Sequence, residues 1–457
     1  MAEKFDAIIV GAGQAGPPLA GRLTQAGQKV AVIERKLVGG TCVNYGCIPT
    51  KTLVASAHAA HLARRGAEYG VGTGDITVDM AKVKARKDKV MLDDRRGLES
   101  WLQGMQGCTF IRGHARFESP HTMRIDGQAL EADKIFLNVG GRAVAPDMPG
   151  LADIDYLTNV SIMELDTVPE HLVIIGGSYI ALEFAQMYRR FGARVTVVEK
   201  GPRLASREDE DVSATIKEIL EAEGIDVVVE ATAIQFTKRD NGFEVVPRES
   251  ADPIAGTHLL IAVGRQANTD DLGLDKAGVN TDDRGFIVVD DQLRTNVEHI
   301  WAMGDCNGRG AFTHTSYNDF EIVAANLLDD DPRRVSDRVT TYALYIDPPL
   351  GRVGMTEAQA RAAKRPLLIA TRPMTRVGRA VEKGETQGFM KAIVDAETRR
   401  ILGASILGTG GDEAIHAVLN IVNAGVPYDV LQRALPIHPT VSELLPTLLG
   451  SLKPATP

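Results

Sequence analysis

The 457-residue sequence has few cysteines, no long apolar run and no concentration of basic residues. Four cysteines are too few for a secreted disulfide scaffold, and in a reducing compartment a close cysteine pair is more often catalytic or metal-binding than structural. Without about 20 consecutive apolar residues, no segment is expected to span a membrane. The net charge of −9 and the lack of a Lys/Arg block argue against nucleic acid or an anionic membrane surface as a partner.

The N-terminal residues are also unlike a signal peptide. Glu3 and Asp6 lead directly into a strand-like segment, where a signal peptide would carry basic residues and then an apolar core. We therefore expect a cytoplasmic protein. At about 100–200 residues per domain, the length predicts roughly three domains.

What the sequence does contain is a cysteine pair within residues 39–51, which read GGTCVNYGCIPTK. Residues five apart on a regular helix point roughly 140° away from each other, whereas a disulfide needs Cα atoms within about 7 Å and converging side chains. Gly46 permits unusual dihedral angles, and Pro49 lacks the N–H of a helical hydrogen bond. The segment is therefore predicted to bend so that Cys42 and Cys47 can meet.

The sequence repeats one pattern at a spacing of 165 residues. Residues 5–35 read FDAIIVGAGQAGPPLAGRLTQAGQKVAVIER, and residues 170–200 read EHLVIIGGSYIALEFAQMYRRFGARVTVVEK. Each copy has an apolar run, a glycine-rich turn, a helical stretch and a second apolar run. This is the pattern of a βαβ unit, so we predict two of them.

In the first copy, Gly11-x-Gly13-x-x-Gly16 follows the predicted strand at residues 7–10. These glycines allow a tight turn, close approach of a pyrophosphate and close packing of the helix on the strand, and the helix N-terminus offers free N–H groups to the phosphates. Glu34 ends the second strand, where a ribose hydroxyl is expected. We therefore predict a dinucleotide site here.

The second copy departs from this pattern because Ser178 follows Gly176 and Gly177 where another glycine is expected. A small side chain there narrows the approach to a pyrophosphate without necessarily blocking it. Glu199 would accept a hydrogen bond from an adenosine 2′-hydroxyl and repel a 2′-phosphate, which favours NADH. The nearby cations Lys200 and Arg203 keep NADPH as an alternative. Two such units predict two dinucleotides, unless the second copy is a structural duplicate without a ligand.

The order of the remaining elements defines the fold class. Residues 56–102 are predicted to be largely helical, and the apolar runs at residues 136–139 and 259–263 each read as a strand returning to its sheet. After about residue 339, strand-like segments and a helix at residues 412–424 form a separate pattern. We predict an α/β protein with two Rossmann-like dinucleotide-binding domains and a C-terminal α+β domain.

Four motifs in this order resemble the class I pyridine nucleotide–disulfide oxidoreductases, the family of glutathione reductase, dihydrolipoamide dehydrogenase and mercuric reductase. They are the cysteine segment, the two dinucleotide fingerprints, TNVEHIWAMGD at residues 295–305 and HPTVSE at residues 438–443. The resemblance covers nearly the whole chain and implies an FAD-dependent NAD(P)H thiol/disulfide oxidoreductase that forms a homodimer. The domains it implies are the first part of the FAD-binding domain at residues 1–146, the NAD(P)-binding domain at 147–268, the return segment of the FAD-binding domain at 269–338 and the dimerisation domain at 339–457.

The resemblance also implies where the nucleotides lie. FAD would occupy the first fingerprint, with Glu34 on its adenosine ribose and Asp305 on its ribityl chain. Cys47 would lie against the flavin, and Cys42 would be the outer sulfur that exchanges with substrate. Tyr179 matches a tyrosine that gates the nicotinamide pocket in some members. The other positions predicted to contact FAD or the nicotinamide coenzyme are Gly40, Thr41, Gly141, Ile180 and Gly264.

Proton transfer is likewise assigned by the resemblance. Lys51 would lie near flavin N5, paired with Glu183 from the second fingerprint helix. His438, oriented by Glu443, would be the acid–base and would act across the dimer interface on the other subunit's cysteines. Electrons would pass from NADH through FAD to the cysteine disulfide and on to the acceptor.

The acceptor stays open. A small-molecule disulfide is the first candidate, a Cu(II) or Hg(II) ion the second and dihydrolipoamide chemistry the third. No cysteine follows Cys306, so the C-terminal pair of mercuric reductases has no counterpart in this sequence. Residues 311–320, AFTHTSYNDF, depart from the AHxAxxEG pattern of dihydrolipoamide dehydrogenases and most resemble the mercuric-reductase-like branch that includes the reactive-chlorine-resistance copper(II) reductase. A flavin-bound redox sensor without turnover is the alternative from another class.

Three further residues have less specific interpretations. Cys108 is predicted to be an inert core residue, and Cys306, beside Asp305, a small buried residue near the flavin. His314 is either a surface residue or part of the lining of the flavin site.

Overall fold

The strands follow the predicted apolar runs in the computed structural model, which describes residues 2–455. The strands are β1 (Glu3–Val10), β2 (Val30–Glu34), β3 (Cys108–Arg112), β4 (Ala115–Ser119), β5 (Thr122–Ile125), β6 (Gln128–Leu137), β7 (Gly141–Ala143), β8 (Tyr156–Leu157), β9 (His171–Ile175), β10 (Arg194–Val198), β11 (Asp226–Val228), β12 (Gln235–Arg239), β13 (Gly242–Val246), β14 (Ile254–Gly256), β15 (His258–Ile261), β16 (Arg265–Ala267), β17 (Ile300–Ala302), β18 (Thr341–Leu344), β19 (Leu350–Gly354), β20 (Leu367–Pro373), β21 (Phe389–Asp395), β22 (Ile401–Leu407) and β23 (Lys453–Pro454). The α-helices are α1 (Gly16–Gln25), α2 (Gly40–Tyr45), α3 (Cys47–Arg64), α4 (Met80–Gly104), α5 (Tyr179–Phe191), α6 (Glu210–Ala222), α7 (Leu274–Ala277), α8 (Thr313–Leu328), α9 (Glu357–Ala362), α10 (Gly378–Glu382), α11 (Gly411–Ala424), α12 (Asp429–Gln432) and α13 (Leu444–Leu449).

The first βαβ unit lies at the centre of the first sheet. Strand β1 pairs in parallel with β2 on one side and β6 on the other, and β17 pairs in parallel with β6. Because both faces are covered at the centre of the sheet, the sequences there, such as residues 7–10 and 30–33, are continuously apolar rather than alternating. Ile8 and Ile9 show this directly, since both are fully buried but belong to core clusters on opposite faces of the sheet.

The second βαβ unit builds a second parallel sheet with strand order β11-β10-β9-β15-β8. Strand β9 pairs with β10 and β15 in the way that β1 pairs with β2 and β6. The antiparallel pair β7 and β16 links the two units, with Gly141 opposite Ala267. The prediction of two Rossmann-like units is confirmed.

An antiparallel sheet, β18-β19-β22-β21-β20-β23, follows the second unit. Helix α11 packs directly on this sheet because β19 offers a glycine at the contact. A Cβ on Gly351 would lie only 2.5 Å from the Gly411 carbonyl oxygen. Ile415 and Val418 from the same helix are buried in the core of this part of the chain. The predicted C-terminal α+β arrangement is confirmed.

Residues 56–102 differ in part from the prediction of a largely helical segment. Helix α3 ends at Arg64 and α4 begins at Met80. The connection contains four glycines, each of which disfavours a helix by about 1 kcal/mol relative to alanine, and Gly70 has a φ of +75°. Asp79 then caps α4 by accepting a hydrogen bond from the Lys82 N–H at 3.1 Å.

A buried ion cluster fixes the loop before α6 against the C-terminal sheet. Arg352 on β19 donates to Glu208 at 2.5 and 3.0 Å and to Asp209 at 3.1 Å, and all three side chains are buried. Lys391 on β21 lies 2.9 Å from Asp211. Removing one partner of a buried ion pair typically costs about 3–5 kcal/mol, so this connection is expected to be rigid.

Candidate active site

The cysteine segment bends at Gly46, between the end of α2 and the start of α3. A Cβ at this position would lie 2.9 Å from the Thr41 carbonyl oxygen, so the turn has room for glycine alone. The bend brings the thiols of Cys42 and Cys47 into hydrogen-bonding contact. The bend predicted from Gly46 and Pro49 is therefore present, and it makes the two sulfurs neighbours.

The two sulfurs differ in acidity. The hydrogen bond from Cys42 lowers the pKa of Cys47 to about 6 against the opposing effect of burial, and Thr313 and Lys51 contribute in the same direction. The same hydrogen bond, together with burial, raises the pKa of Cys42. At neutral pH the reduced pair therefore carries a thiolate at Cys47 and a thiol at Cys42.

Lys51 lies one helical turn after Cys47 and is held in place by two contacts. Its Nζ is 2.7 Å from the Glu183 carboxylate and 4.6 Å from the centroid of the Tyr345 ring. The second Glu183 oxygen accepts a hydrogen bond from the Tyr345 N–H at 3.0 Å. The structure thus brings together the predicted Lys51–Glu183 pair and adds Tyr345, which sequence reasoning did not single out.

The first fingerprint forms a glycine-lined cradle. A Cβ on Gly11, whose φ is +104°, would lie 2.3 Å from the Asn138 carbonyl oxygen, and a Cβ on Gly16 would lie 2.3 Å from that of Gly11. Gly40 abuts the same cradle, since its Cβ would lie 2.9 Å from the Gly13 Cα. The Asn138 Nδ2 is buried and has no hydrogen-bond partner within residues 2–455, so it is available to a bound group. The cradle and this free donor fit the pyrophosphate side of FAD.

The two strand-ending carboxylates brace their fingerprints in the same way. Glu34 accepts hydrogen bonds from the Ala12 N–H at 2.9 Å and the Lys36 N–H at 2.7 Å. Glu199 accepts the equivalent hydrogen bonds from the Gly177 and Gly201 N–H groups, both at 2.6 Å. These two donors lie 165 residues after Ala12 and Lys36. Each carboxylate oxygen keeps a lone pair that can accept from a ribose hydroxyl.

The second fingerprint repeats the turn but leaves its surface more open. A Cβ on Gly176 would lie 2.4 Å from the Ala262 carbonyl oxygen, which matches the close approach at Gly11. Ser178 and Ile180 are exposed at the start of α5 and line the same cavity as Gly264. The serine is therefore exposed in the cavity rather than filling a closed cradle.

Arg265 connects three of the predicted FAD contacts. Its Nη2 lies 2.7 Å from the Gly141 carbonyl oxygen, 3.2 Å from Asp305 Oδ2 and 3.5 Å from Thr41 Oγ1. Burial raises the pKa of Asp305, and the guanidinium partly offsets this effect. Sequence reasoning missed Arg265. The available signal was its position directly after Gly264, at the end of the apolar run that begins at residue 259.

Tyr179 belongs to a group of aromatic side chains beside the cysteines. Its ring centroid lies 5.4 Å from that of Tyr342 and 6.1 Å from that of Phe312. Both tyrosine hydroxyls donate to Glu208 Oε1, at 3.3 Å from Tyr179 and 2.6 Å from Tyr342. His314 stacks on Phe312 at 5.3 Å, and burial lowers its pKa. The buried ion cluster therefore holds Tyr179 through Glu208.

One cavity of about 2650 Å³ collects these groups. Both fingerprints, both cysteines, Lys51, Asp305 and the aromatic side chains line it. Typical small-molecule sites occupy about 300–1,000 Å³, so this cavity has room for more than one ligand.

The other two cysteines lie outside the cavity lining. Cys306 is fully buried, with its Sγ 3.3 Å from the Met303 carbonyl oxygen, and burial raises its pKa to about 12. Cys108 is half-buried at the start of β3, where burial raises its pKa to about 11. Both thiols are therefore protonated at neutral pH.

His438 and Glu443 form a pair that is separate from the cavity. The His438 Nδ1 lies 2.8 Å from Glu443 Oε2, and the exposed fractions of the two side chains are 81% and 13%. Within residues 2–455, no hydrogen bond or ion pair joins His438 to the cysteine pair. The apolar neighbours Leu435 and Ile437 are 98% and 79% exposed. A single chain thus orients the histidine but does not bring it to the sulfurs.

Two nucleotide-binding units around a thiol–thiolate pair define a disulfide reductase that depends on a flavin and a nicotinamide. The sequence profile of the pyridine nucleotide-disulphide oxidoreductases matches residues 5–319, and that of the dimerisation domain of the same family matches residues 340–449. The chain belongs to this family. It is an FAD- and pyridine-nucleotide-dependent oxidoreductase, and its dimerisation domain makes it a homodimer.

Similar proteins cover nearly the whole length of the chain. The probable pyridine nucleotide-disulfide oxidoreductase RclA of Escherichia coli (strain K12) is 37% identical, over 98% of this chain and 100% of its own. The mercuric reductase of Streptomyces lividans is 34% identical, over 96% and 94%. Among solved structures, the HOCl-induced flavoprotein disulfide reductase RclA from Escherichia coli has a TM-score of 0.90 at 37% identity, over 98% and 100%. The structure of the Cu(II) complex of RclA from Escherichia coli has a TM-score of 0.90 at 36% identity, over 98% of this chain and 99% of that one.

Helices able to cross a membrane are not found in the described part of the chain. No helix within residues 2–455 combines the length with the hydropathy that crossing a membrane requires.

Proposed function

We propose that the protein uses NADH to reduce a small-molecule disulfide through the Cys42–Cys47 pair. The observation that carries this proposal is the bend at Gly46, which makes Cys42 and Cys47 neighbours in the cavity and places the Cys47 Sγ 3.1 Å from Thr313 Oγ1. The lowered pKa of Cys47 favours a thiolate there beside a thiol at Cys42. A dithiol in this state donates two electrons when it closes to a disulfide. The first fingerprint, Thr41, Gly141 and Asp305 would hold FAD, which when bound supplies two-electron transfer between the nicotinamide and the cysteines.

Exchange with the acceptor uses the thiol of Cys42 first. His438 of the partner subunit takes the proton from Cys42, and the resulting thiolate attacks one sulfur of the acceptor. The other acceptor sulfur leaves as a thiolate and receives that proton. Cys47 then attacks Cys42 in the mixed disulfide, and the second acceptor thiolate leaves and takes a proton from solvent. One dithiol is oxidised to a disulfide, and one acceptor disulfide is reduced to two thiols.

Metal-ion reduction is the second candidate, because two adjacent sulfurs also bind soft ions such as copper or mercury. One similar structure is titled as a Cu(II) complex, and one relative is a mercuric reductase. In this chain Cys42 and Cys47 would bind the ion as substrate. Among the described residues, no group of three or more His, Cys, Asp or Glu side chains is arranged to hold a metal ion elsewhere.

The proposed acceptor is tested by a panel assayed with NADH. The panel contains lipoamide, oxidised glutathione, Cu(II), Hg(II), quinones and oxygen. Turnover with a disulfide at a rate above those of the ions supports the first candidate, and the reverse order supports metal-ion reduction. Selective turnover of lipoamide would instead indicate dihydrolipoamide chemistry. NADH consumption that is negligible with every acceptor would contradict turnover and favour the redox sensor.

The coenzyme is expected to be NADH rather than NADPH. A 2′-phosphate beside the Glu199 carboxylate would place like charges together, so we expect kcat/KM for NADH to exceed that for NADPH by at least about 10-fold. Glu199→Gln removes the charge and should reduce this ratio. Glu210→Gln is the matched control, since Glu210 lies nearby but is exposed and pairs with Arg203. Equal use of both coenzymes by the unmodified protein would contradict the assignment. In that case Lys200, which lines the same cavity, would be the cation that binds the 2′-phosphate.

The proposal includes the domain boundaries at residues 146, 268 and 338 and a cytoplasmic location. The return of β17 to the first sheet supports the boundaries, because it follows the completed second sheet. The cytoplasmic location is supported by the cysteine pair, because Cys42 and Cys47 must return to the thiol and thiolate state, which a reducing compartment maintains.

A further inference from the structure

Thr313 is in direct contact with the thiolate of the pair. Its Oγ1 lies 3.1 Å from the Cys47 Sγ, although 266 residues separate the two in sequence. Thr313 belongs to residues 311–320, the stretch whose sequence departs from the AHxAxxEG pattern. It is also the first residue of α8, a helix of 16 residues whose positive end therefore lies at the same sulfur.

The backbone beside Thr313 is held by contacts of Phe312 and Thr315. The Phe312 N–H donates to Thr315 Oγ1 at 3.1 Å, and that hydroxyl donates to the Phe312 carbonyl oxygen at 2.8 Å. The Phe312 ring stacks on Tyr342 at 5.6 Å and on His314 at 5.3 Å. The start of α8, where Thr313 lies, is thus held by contacts that do not involve the cysteine pair.

The positive charge of Lys51, which also lies near the Cys47 sulfur, is partly neutralised. Lys51 forms its ion pair with Glu183 at 2.7 Å, and the Glu183 charge opposes the effect of Lys51 on Cys47. The direct hydrogen-bond donors to the Cys47 sulfur are the Cys42 thiol and the Thr313 hydroxyl. A hydrogen bond to the charged form of an acid favours ionisation, and Thr313 lowers the pKa of Cys47 in this way. Thr313 also lowers the pKa of Cys42, but the hydrogen bond to Cys47 and burial outweigh that effect, so the charge rests on Cys47.

We propose that the Thr313 hydroxyl donates a hydrogen bond that places the negative charge of the reduced pair on Cys47 and leaves the proton on Cys42. This role rests on the proposed function, because it assumes that the pair cycles through the dithiol state. It makes Thr313 a catalytic residue of this chain, since it contacts a reacting sulfur. It also implies that Cys42 stays protonated until a base removes its proton, so that exchange with the acceptor is controlled at that step.

The test is a pH titration of the thiolate in the NADH-reduced holoenzyme, followed through its long-wavelength charge-transfer absorbance with the flavin. In the unmodified protein this absorbance should develop with a midpoint near pH 6 as the pH rises. Thr313→Val keeps the shape of the side chain and loses the donor, so the midpoint should move upward by about one pH unit. Thr313→Ser keeps the donor and should restore the midpoint to within about 0.3 pH unit.

Thr371→Val, on the exposed side of β20 and outside the cavity, is the control for a general effect of the substitution. Its midpoint should not move, and FAD content and thermal midpoint should be the same in all four proteins. An unshifted midpoint in Thr313→Val would overturn the proposal while leaving the proposed function intact. Equal upward shifts in Thr313→Val and Thr313→Ser would also overturn it, because they would assign the effect to helix geometry. Absence of the absorbance in the unmodified protein would overturn both the proposal and the proposed function.

Discussion

Replacing Cys42 with serine is expected to lower turnover with a disulfide acceptor by roughly 10³-fold or more while leaving the Cys47 thiolate in place. A serine hydroxyl cannot form the mixed disulfide, so exchange stops at the first step. It can still donate a hydrogen bond to Cys47, as the Cys42 thiol does. With its FAD oxidised, before NADH is added, the Cys42→Ser protein should therefore show the charge-transfer absorbance, and it should not turn over the acceptor.

The companion variant, Cys47→Ser, should lose both properties. It removes the sulfur whose pKa is lowered, so no thiolate remains beside Thr313 and Lys51. Cys108→Ser is the matched control, because that thiol is half-buried on β3 outside the cavity and should change neither readout. Retention of the absorbance in Cys47→Ser, or its loss in Cys42→Ser alone, would reverse the assigned roles of the two sulfurs.

The fold and the nucleotide cradles could be predicted because their signals are local. The glycine spacing and the carboxylate that ends each second strand lie within about 30 residues of one another, and the repeat presents them twice. The hydrogen bonds of Glu34 and Glu199 repeat at the same spacing as the sequence. A pattern within one βαβ unit contains its own partners, so it can be interpreted without the rest of the chain.

The groups that sequence reasoning missed reach the site from distant segments. Asn138 closes the first cradle from the end of β6, and Arg265 meets Asp305 and Thr41 from the link between the two units. Neither follows a spacing rule relative to the residues that it contacts. Thr313 gave one signal, the departure of its segment from a known pattern, but the sulfur that it contacts is 266 residues away. Side chains of this kind are placed by packing of whole elements, which no local periodicity encodes.

The position of His438 shows a limit of a different kind. The motif at residues 438–443 predicted the His438–Glu443 pair, and the two side chains lie 2.8 Å apart. The proposed contact of His438 with the cysteines, however, involves two chains. In one chain the histidine is 81% exposed, and the apolar residues Leu435 and Ile437 beside it are exposed as well. Exposed apolar residues next to an oriented histidine, within the matched dimerisation domain, are what an intersubunit active site requires.

We therefore expect His438→Gln to lower turnover by about 10²-fold or more, since general acid–base catalysis contributes roughly 10²–10⁴-fold. Glutamine keeps much of the size of the side chain but cannot carry the proton of Cys42. The charge-transfer absorbance should persist, because the contacts of Cys47 come from its own chain. His121→Gln, at a surface histidine outside the cavity that stacks on His299, should leave turnover unchanged.

Heterodimers decide whether His438 serves its own cysteines or those of the partner subunit. A differently tagged Cys42→Ser chain and His438→Gln chain would be co-expressed, and dimers carrying both tags purified. If the histidine acts across the interface, the intact cysteines of the second chain face the intact histidine of the first. One of the two symmetric sites is then complete, and activity should recover to about half of that of the unmodified dimer. If the histidine acts within its own chain, both sites carry a lesion, and the heterodimer should be no more active than the average of the two parent variants.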